Sequence, residues 1–262
     1  MYEELLPHTL PTEAERLDRM AHAHDPDTYS TIERLNLPAN ANCLDIGTGR
    51  GSVAIWLAET FPAANVTASD LDLTSVRENT LPNLTLKKID LRRDDLGTGV
   101  YDFVHCRAVL CFLPSRIEVL SGIFRSLKPG GVFIATEMDF SRIASGPDRF
   151  WAAFWTAYLE FAASQGWDLG FGGTLPRVLA RTGFTETDAR HIQPILNHSG
   201  NTAGSAEAET WSLTLATLAP QLIGQGFMSE TLLTEALSII RNPEAWTAGP
   251  GFMVVSARRP SA

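Results

Sequence analysis

The stretch that most constrains this chain is CLDIGTGRGSVAIWLA at residues 43–58, in which three glycines alternate directly after a short apolar run. Gly47, Gly49 and Gly51 allow the backbone to turn sharply, to adopt positive φ angles and to approach a ligand without a Cβ in the way. A helical pattern begins near Ser52, and the free N–H groups of a helix N-terminus favour an anionic group at the same place. The stretch therefore predicts a ligand-binding turn between a strand and a helix, with nucleotides, dinucleotides and adenosyl compounds as candidate ligands.

Short apolar strands and helical segments alternate from residue 42 to residue 139. The segments predicted as strands are NCLDIG, NVTASD, LTLKKID, YDFVHCRAV and GGVFIATEMD. The segments predicted as helices are SVAIWLAETF, LTSVRENT (residues 73–80) and SRIEVLSGIFRSL. Such alternation indicates βαβ units and a mostly parallel sheet with right-handed crossovers, so the predicted fold class is α/β.

The segments outside this core are interpreted as helical additions to one domain that covers residues 1–262. A polar helix near residues 12–35 belongs to the N-terminal part, residues 1–39, which we expect to close over the ligand as a lid. The alternating core is residues 40–140. Residues 141–262 supply the helices on the substrate side and the last two strands, and helices are predicted here at 148–167, 206–222 and 229–241.

Acidic residues follow the second and third predicted strands. Asp70 ends the second strand, nineteen residues after Gly51, and a carboxylate there can accept both hydroxyls of a ribose. Asp90 ends the third strand and can accept from an adenine amino group, while the backbone N–H of Leu91 faces a ring nitrogen. Asp45 lies inside the first strand and is expected to tie down the amides of the glycine turn. Acids at successive strand ends favour a ligand with an adenosyl group.

Two cofactors fit this layout. The dinucleotide fingerprint G-x-G-x-x-G/A is met only imperfectly, with Ser52 at its third small position. No Tyr-x-x-x-Lys pair typical of short-chain dehydrogenases is present in the sequence. The alternating G-x-G-x-G form suits S-adenosylmethionine better. The chain resembles the class I S-adenosylmethionine-dependent methyltransferases of the small-molecule type, on the segments CLDIGTGRG, VTASD, KKID, YDFVHCRAVLCFL and LKPGGVFIATEMD.

The resemblance covers roughly residues 40–140 with specific motifs and extends loosely to GFMVVSARRP, which looks like the family's last, antiparallel strand. It implies a Rossmann-like, seven-stranded, mostly parallel sheet with helices on both faces, an N-terminal helical lid, and extra helices after the fifth and sixth strands. It also implies the residues that bind S-adenosylmethionine. These are Asp45, Gly47, Gly49 and Gly51 near the methionine, Asp70 and Leu71 at the ribose, Asp90 and Leu91 at the adenine, and Arg107 near the methionine or the substrate.

Methyl transfer from a sulfonium requires positioning and exclusion of water, and it needs a base only when the acceptor must lose a proton. The resemblance therefore implies no fixed catalytic residue. His191, His198, Asp139 and His22 are the candidates for a base or an orienting group. The segment CRAVLCFLP replaces the Asn/Asp-Pro-Pro-aromatic loop that such enzymes use on nucleobase or amide nitrogens. A small apolar or aromatic acceptor, methylated on oxygen, is the favoured expectation.

The helix predicted at 148–167 carries aromatic side chains at helical spacing. Trp151, Trp155 and Tyr158 share one face, and Phe150, Phe154 and Phe161 lie beside them. Core packing is the favoured interpretation, and a wall for a flat apolar substrate is the alternative.

Composition excludes several classes of function. A net charge of −9 argues against a nucleic-acid partner, because phosphate binding needs clustered Lys and Arg. Three cysteines without a C-x-x-C predict neither a disulfide framework nor a metal site. The first residues have no secretory-leader pattern and no run reaches the length of a membrane span, so a cytoplasmic enzyme, for instance of secondary metabolism, is expected. A homodimer remains open, as do a cofactor-binding scaffold or cyclase that does not methylate and an NAD-dependent oxidoreductase.

Overall fold

The computed structural model describes residues 2–143, 149–200 and 202–261, with the backbone alone at residues 2 and 3. Its main sheet has seven strands in the order β3-β2-β1-β4-β5-β9-β6, in which only β9 runs antiparallel to its neighbours. The strands are β1 (Asn42–Ile46), β2 (Asn65–Asp70), β3 (Leu84–Lys88), β4 (Tyr101–Arg107), β5 (Leu127–Asp139), β6 (Thr185–Ile192), β7 (Ile195–Leu196), β8 (Thr247–Ala248) and β9 (Gly251–Arg258). The predicted α/β class and the antiparallel last strand are confirmed.

Helices cover both faces of the sheet. They are α1 (Tyr2–Leu5), α2 (Pro11–Glu33), α3 (Ser52–Thr60), α4 (Arg116–Ser126), α5 (Arg149–Ser164), α6 (Phe171–Thr182), α7 (Ala203–Gly224) and α8 (Glu230–Arg241), with a short 3-10 turn at Leu110–Phe112. The helix predicted at 148–167 ends at Ser164, and its first residue, Asp148, lies outside the described residues. No helix in the described ranges is both long and apolar enough to cross a membrane.

The helix predicted at residues 73–80 is wrong, because this segment between β2 and β3 forms turns instead. The Asp72 carboxylate accepts a hydrogen bond from the Thr74 backbone N–H at 2.9 Å, which competes with helical hydrogen bonding. The Arg77 N–H then donates to the Arg50 carbonyl at 3.2 Å. Contact with the glycine turn has therefore overridden the local helical preference.

The middle of the sheet is buried on both faces, as expected for parallel strands between helices. Leu44, Val104 and Ile134 on β1, β4 and β5 have no exposed surface. Two apolar clusters result, one under α3 and the other under α5, α6 and α7. The central strands are fixed in position by this packing, so their carboxyl ends form a rigid edge on which a site can be built.

The aromatic face of α5 is mainly core. Phe154 and Trp155 are fully buried, and the Trp155 ring meets the Trp211 ring edge-on with centroids 5.2 Å apart. Tyr158, one turn further along, reaches the cavity described below. Core packing is thus the main role of this helix, and it also supplies one wall residue.

Candidate cofactor and acceptor site

One long cavity of about 240 Å³ follows the carboxyl edge of the sheet. Its lining passes from the end of β3 across β2, β1, β4 and β5 to the start of β9, with the representative residues Asp90, Asp70, Gly47, Arg107, Met138 and Phe252. Strands in a sheet lie about 4.8 Å apart, so these five steps span about 24 Å. Ligands of open α/β sheets bind at this edge. We call the part above β1, β2 and β3 the cofactor end and the part above β4, β5 and β9 the acceptor end.

Seven of the nine residues assigned to the cofactor from the sequence line this cavity. They are Gly47, Gly49, Asp70, Leu71, Asp90, Leu91 and Arg107. The other two, Asp45 and Gly51, are not among the described residues that line it. The topology has therefore gathered residues that are up to sixty positions apart in the sequence.

The glycine turn needs its glycines for two reasons. Gly47 and Gly49 have φ angles of +64° and +54°, which favour residues without a Cβ. A Cβ on Gly47 would in addition lie 2.4 Å from Cγ2 of Val109. Gly51, with φ of +81°, is the residue immediately before α3. It contributes to the conformation of the turn without being one of the described residues that line the cavity.

Asp70 is the acid that ties down the glycine turn. Its Oδ2 accepts the Gly49 N–H at 2.9 Å and its Oδ1 accepts the Leu71 N–H at 2.7 Å. Burial raises the pKa of Asp70, while the hydrogen bond from Gly49 opposes that rise. Oδ1 also accepts the Asp72 N–H at 3.4 Å. Because each carboxylate oxygen has about two lone-pair sites, the remaining acceptor site of Asp70 is on Oδ2.

Asp45 does not hold the turn amides as expected from the sequence. It accepts the Thr48 hydroxyl at 2.6 Å and lies 2.7 Å from Nδ1 of the buried His105. These groups border a smaller cavity of about 40 Å³ behind the turn. Asp45 therefore stabilises the turn through the side chains of Thr48 and His105, and the backbone N–H of Gly49 donates to Asp70 instead.

Asp90 and Leu91 form the far wall of the cofactor end. Both oxygens of Asp90 pair with Arg92, at 2.7 Å from Nε and 2.9 Å from Nη2. The Arg92 side chain holds the pKa of Asp90 below its usual value. The apolar side chains of Ile89 and Leu91 supply a surface suited to a flat ring.

Arg107, at the end of β4, connects the sheet to the N-terminal helix α2. Its Nη1 donates to Oδ1 of Asp25 at 2.7 Å, and the Tyr29 hydroxyl donates to Oδ2 of the same carboxylate at 2.9 Å. Burial and the adjacent Asp25 raise the pKa of Tyr29. Leu17 of α2 also lies over Gly49, so this helix packs against the glycine turn. The role of residues 1–39 as a lid stays a prediction.

The acceptor end is lined mainly by aromatic and sulfur-containing side chains, which are Phe112, Met138, Tyr158, Trp167, Trp211 and Phe252. Helix α7 presents Glu207, Thr210, Trp211 and Thr214 on one face at helical spacing. Sequence reasoning did not find this face. The signal available was Glu207 itself, an acid inside a largely apolar helix.

The buried carboxylate of Glu137 on β5 shapes the loop after β4. It accepts the backbone N–H groups of Val109, Leu110 and Cys111 at 3.1, 2.9 and 3.1 Å. Burial raises the pKa of Glu137, and these N–H groups oppose the rise. The loop that it fixes contributes Val109 and Phe112 to the cavity wall. Sequence reasoning did not single out Glu137.

The four candidates for a base lie elsewhere. Nε2 of His191 is 3.4 Å from Oδ2 of Asp139, so the structure brings these two together at the start of β9. His22 is exposed on α2, and His198 follows β7. None of the four belongs to the cavity lining in the described part of the chain. Their roles remain predictions.

Comparison with known proteins decides the family. A family model described as a methyltransferase domain matches residues 18–187 of the chain. The chain is a class I S-adenosylmethionine-dependent methyltransferase. This membership confirms the resemblance, and it decides against an NAD-dependent oxidoreductase.

This methyltransferase is 30% identical to methyltransferase str3 of Strobilurus tenacellus. The match extends over 195 residues, which are 72% of this chain and 70% of that protein. A solved structure of Haemonchus contortus phosphoethanolamine N-methyltransferase 2, with phosphomonomethylethanolamine and S-adenosylhomocysteine, matches with a TM-score of 0.62 at 15% identity, over 99% of this chain and 61% of that one. The cyclase SpnF matches with a TM-score of 0.58 at 18% identity, over 91% and 81%. These two structures share the fold.

The cofactor end of the methyltransferase fits an adenosyl compound by its own chemistry. Asp70 offers a partly buried acceptor, which suits hydroxyl donors. The missing Cβ at Gly47 lets Val109 pack closely against the glycine turn, and Leu71 and Leu91 add apolar walls to the cavity. In the described residues, no group of three or more His, Cys, Asp or Glu side chains is arranged to hold a metal ion.

Proposed function

We propose that this protein transfers a methyl group from S-adenosylmethionine to a hydroxyl oxygen of a small, apolar or aromatic metabolite. The observation that carries the proposal is the division of one cavity into a polar end at the tips of β1, β2 and β3 and an aromatic end above β4, β5 and β9. When bound, S-adenosylmethionine supplies an activated methyl group on a positively charged sulfur. The protein has to hold that group and the acceptor side by side and keep water out.

The residues that hold the cofactor in this proposal are those of the cofactor end. Asp70 accepts the ribose hydroxyls, and Asp90 with the N–H of Leu91 binds the adenine edge. The glycine turn, with Gly51 and Asp45 supporting it from behind, surrounds the methionine part. Arg107 is kept in place by Asp25, close to the boundary between the two ends.

The acceptor end favours a flat apolar molecule. Phe112 and Trp167 meet edge-on with ring centroids 5.1 Å apart, which gives a stiff aromatic wall. Such rings exclude water from the reacting atoms and hold a planar acceptor by stacking. A hydroxylated polyketide or aromatic metabolite suits this environment, in keeping with an enzyme of secondary metabolism. The absence of the Asn/Asp-Pro-Pro-aromatic segment from the sequence supports oxygen over planar nitrogen.

The test is a methylation assay on a panel of planar phenols with methyl-labelled S-adenosylmethionine, read by mass spectrometry. We expect a product that carries one labelled methyl on oxygen, together with an equivalent amount of S-adenosylhomocysteine. Label on carbon or nitrogen would overturn the choice of oxygen. A product of unchanged composition, formed only with cofactor present, would instead indicate the cyclase alternative.

A further inference from the structure

We propose that Glu207, held by His24 and Trp211, binds the acceptor hydroxyl and receives its proton during methyl transfer. This inference rests on the proposed function, because it assigns a residue to the acceptor of that reaction. Glu207 is 1% exposed and is one of the residues that line the cavity. A ligand bound at this end of the cavity would therefore lie beside a carboxylate that is almost fully removed from water.

The carboxylate of Glu207 has two partners in the described part of the chain. Its Oε1 accepts the indole N–H of Trp211 at 2.8 Å, and its Oε2 lies 2.9 Å from Nε2 of His24. The indole nitrogen can only donate, which fixes the role of Oε1 as an acceptor. Each carboxylate oxygen has about two lone-pair sites, so one site on each oxygen remains for a donor in the cavity.

Two other buried acids show what a purely structural carboxylate does here. Glu137 accepts three backbone N–H groups, and Glu13 forms a two-point ion pair with Arg16 at 2.7 and 2.8 Å. Neither of these acids lines the cavity, judged on the described residues. Glu207 is buried like the other two acids, and it differs from them because it lines the cavity in which a ligand would lie.

The position of Glu207 assigns it to the acceptor end. The ring of its partner His24 packs on Phe252 with centroids 4.2 Å apart. Phe252 is paired with Met138 across β5 and β9. The pair Glu207–His24 therefore stands above β5 and β9, two strands away from the glycine turn that follows β1.

The step that follows from this placement conserves atoms and charge. The acceptor oxygen forms a bond to the methyl carbon as the sulfur–methyl bond breaks, and that electron pair stays on sulfur. The O–H bond of the acceptor breaks, its electron pair stays on oxygen, and its proton passes to the Glu207–His24 pair. His24 is the positioning residue, since it orients the carboxylate without lining the cavity.

The test compares a phenol with the ether in which a methyl group replaces the hydroxyl hydrogen, so that only the phenol can donate a hydrogen bond. Umbelliferone is a planar phenol, and herniarin is its methyl ether. Their dissociation constants are measured by fluorescence with S-adenosylhomocysteine present, for the wild type, Glu207→Gln and Glu209→Gln. Glu209 is on the same helix, pairs with Arg19 and does not line the cavity, so it is the matched control.

We expect the wild type and Glu209→Gln to prefer umbelliferone by about tenfold or more, the effect of one hydrogen bond to a charged acceptor. The Glu207→Gln variant should lose most of that preference. The glutamine oxygen still accepts from Trp211, and its amide can donate to Nε2 of His24, so this variant should fold. Its affinity for S-adenosylhomocysteine, measured by calorimetry, should stay within about twofold of the wild type because the cofactor end is untouched.

Equal preference for umbelliferone in the wild type and Glu207→Gln, or none in the wild type, would overturn the role of Glu207. A His24→Gln variant adds a second readout, since a mere structural role predicts lower stability with the preference unchanged, whereas we expect the preference to fall. Failure of the proposed function looks different. In that case no phenol of the panel is methylated by the wild type, whatever the ligand preference.

Discussion

The two ends of the cavity are built from different parts of the chain. The cofactor end consists of backbone amides and acids at the ends of adjacent strands, as in the contact between Gly49 and Asp70. The acceptor end consists of side chains from α5 and α7, from the segments after β4 and α5, and from β5 and β9, including Tyr158 and Trp211. Backbone geometry in the first region is fixed by the sheet, whereas the second depends on how separate helices pack.

Charge also differs between the two ends. Asp70 and Asp90 lie at the cofactor end, and their pKa values shift in opposite directions because one carboxylate is buried and the other is paired with Arg92. At the acceptor end the aromatic walls surround the single acid Glu207, counted over the described lining residues. Variants at the two ends should accordingly separate cofactor binding from acceptor binding.

The largest effect is expected for Asp70→Ala. This change removes the partner of the Gly49 and Leu71 N–H groups and the proposed acceptor for the ribose, so S-adenosylhomocysteine should bind about a hundredfold more weakly. In the wild type, ligand at a hundred times its dissociation constant should stabilise the fold by about 2.7 kcal/mol, and the variant should lose nearly all of this thermal shift. The exposed Asp188→Ala on β6 is the control. An undiminished shift in Asp70→Ala would show that the cofactor end has been misplaced.

A tenfold effect confined to the acceptor is expected for Phe112→Ala. Removing this ring takes away apolar contact worth about 1.5–3 kcal/mol when fully buried, so umbelliferone should bind about tenfold more weakly. S-adenosylhomocysteine affinity should change less than about twofold, because Phe112 lies above β4, away from Asp70. Fluorescence titration and calorimetry measure the two constants. A loss of cofactor affinity as large as the loss of acceptor affinity would contradict the division into two ends.

A smaller effect is expected from pH. Burial raises the pKa of Asp70, so its carboxylate takes up a proton at a higher pH than the usual value of about 3.9. The neutral acid is a poorer acceptor, and S-adenosylhomocysteine affinity should fall severalfold as the pH is lowered toward that raised pKa. Calorimetry from neutral pH downward gives the profile. Asp90 should not contribute, because Arg92 lowers its pKa.

Protonation of Asp70 should affect the stability of the fold in the opposite direction from the affinity for S-adenosylhomocysteine. A carboxyl group whose pKa is higher in the folded than in the unfolded state destabilises the fold while it is ionised. This destabilisation is lost as the pH falls through the raised pKa and the group takes up a proton. A loss of affinity with no loss of thermal stability in the same range would therefore assign the effect to Asp70. A parallel loss of both would point to general acid unfolding.

The smallest effect is expected for Asp18→Asn. Asp18 on α2 accepts from Arg50 of the glycine turn and from Arg77, each at 2.7 Å, and these pairs are partly exposed. Exposed ion pairs contribute about 0.2–1 kcal/mol, so cofactor affinity should change less than about fivefold. A measured loss close to that of Asp70→Ala would mean that α2 contributes to cofactor binding far more than its contacts suggest.

The sequence predicted most of the residues that line the cofactor end, because the signals for them are local. A strand, a glycine turn and an acid at a strand end each occupy a few adjacent residues, and parallel pairing brings them together. Even here the role of Asp45 was misjudged, since the choice between Asp45 and Asp70 for the Gly49 amide depends on how β1 and β2 pair. The prediction of a helix at 73–80 was wrong for a similar reason, because the hydrogen bond from the Arg77 N–H to the Arg50 carbonyl joins residues that are distant in the sequence.

The acceptor end could not be predicted in the same way. Glu207 and His24 are 183 residues apart, and no local pattern indicates that α2 and α7 pack together. Histidines were weighed from the sequence as candidates for a base, but His24 was not among those chosen. A buried polar pair of this kind depends on helix packing, which the sequence specifies only through the whole fold.

The most direct test is a crystal structure of the protein with S-adenosylhomocysteine and umbelliferone. The account predicts the nucleoside between Asp70 and Leu91, and the phenol among the aromatic rings of the acceptor end with its hydroxyl toward Glu207. A nucleoside seated against Trp211, or a phenol above β2 and β3, would contradict the assignment of the two ends.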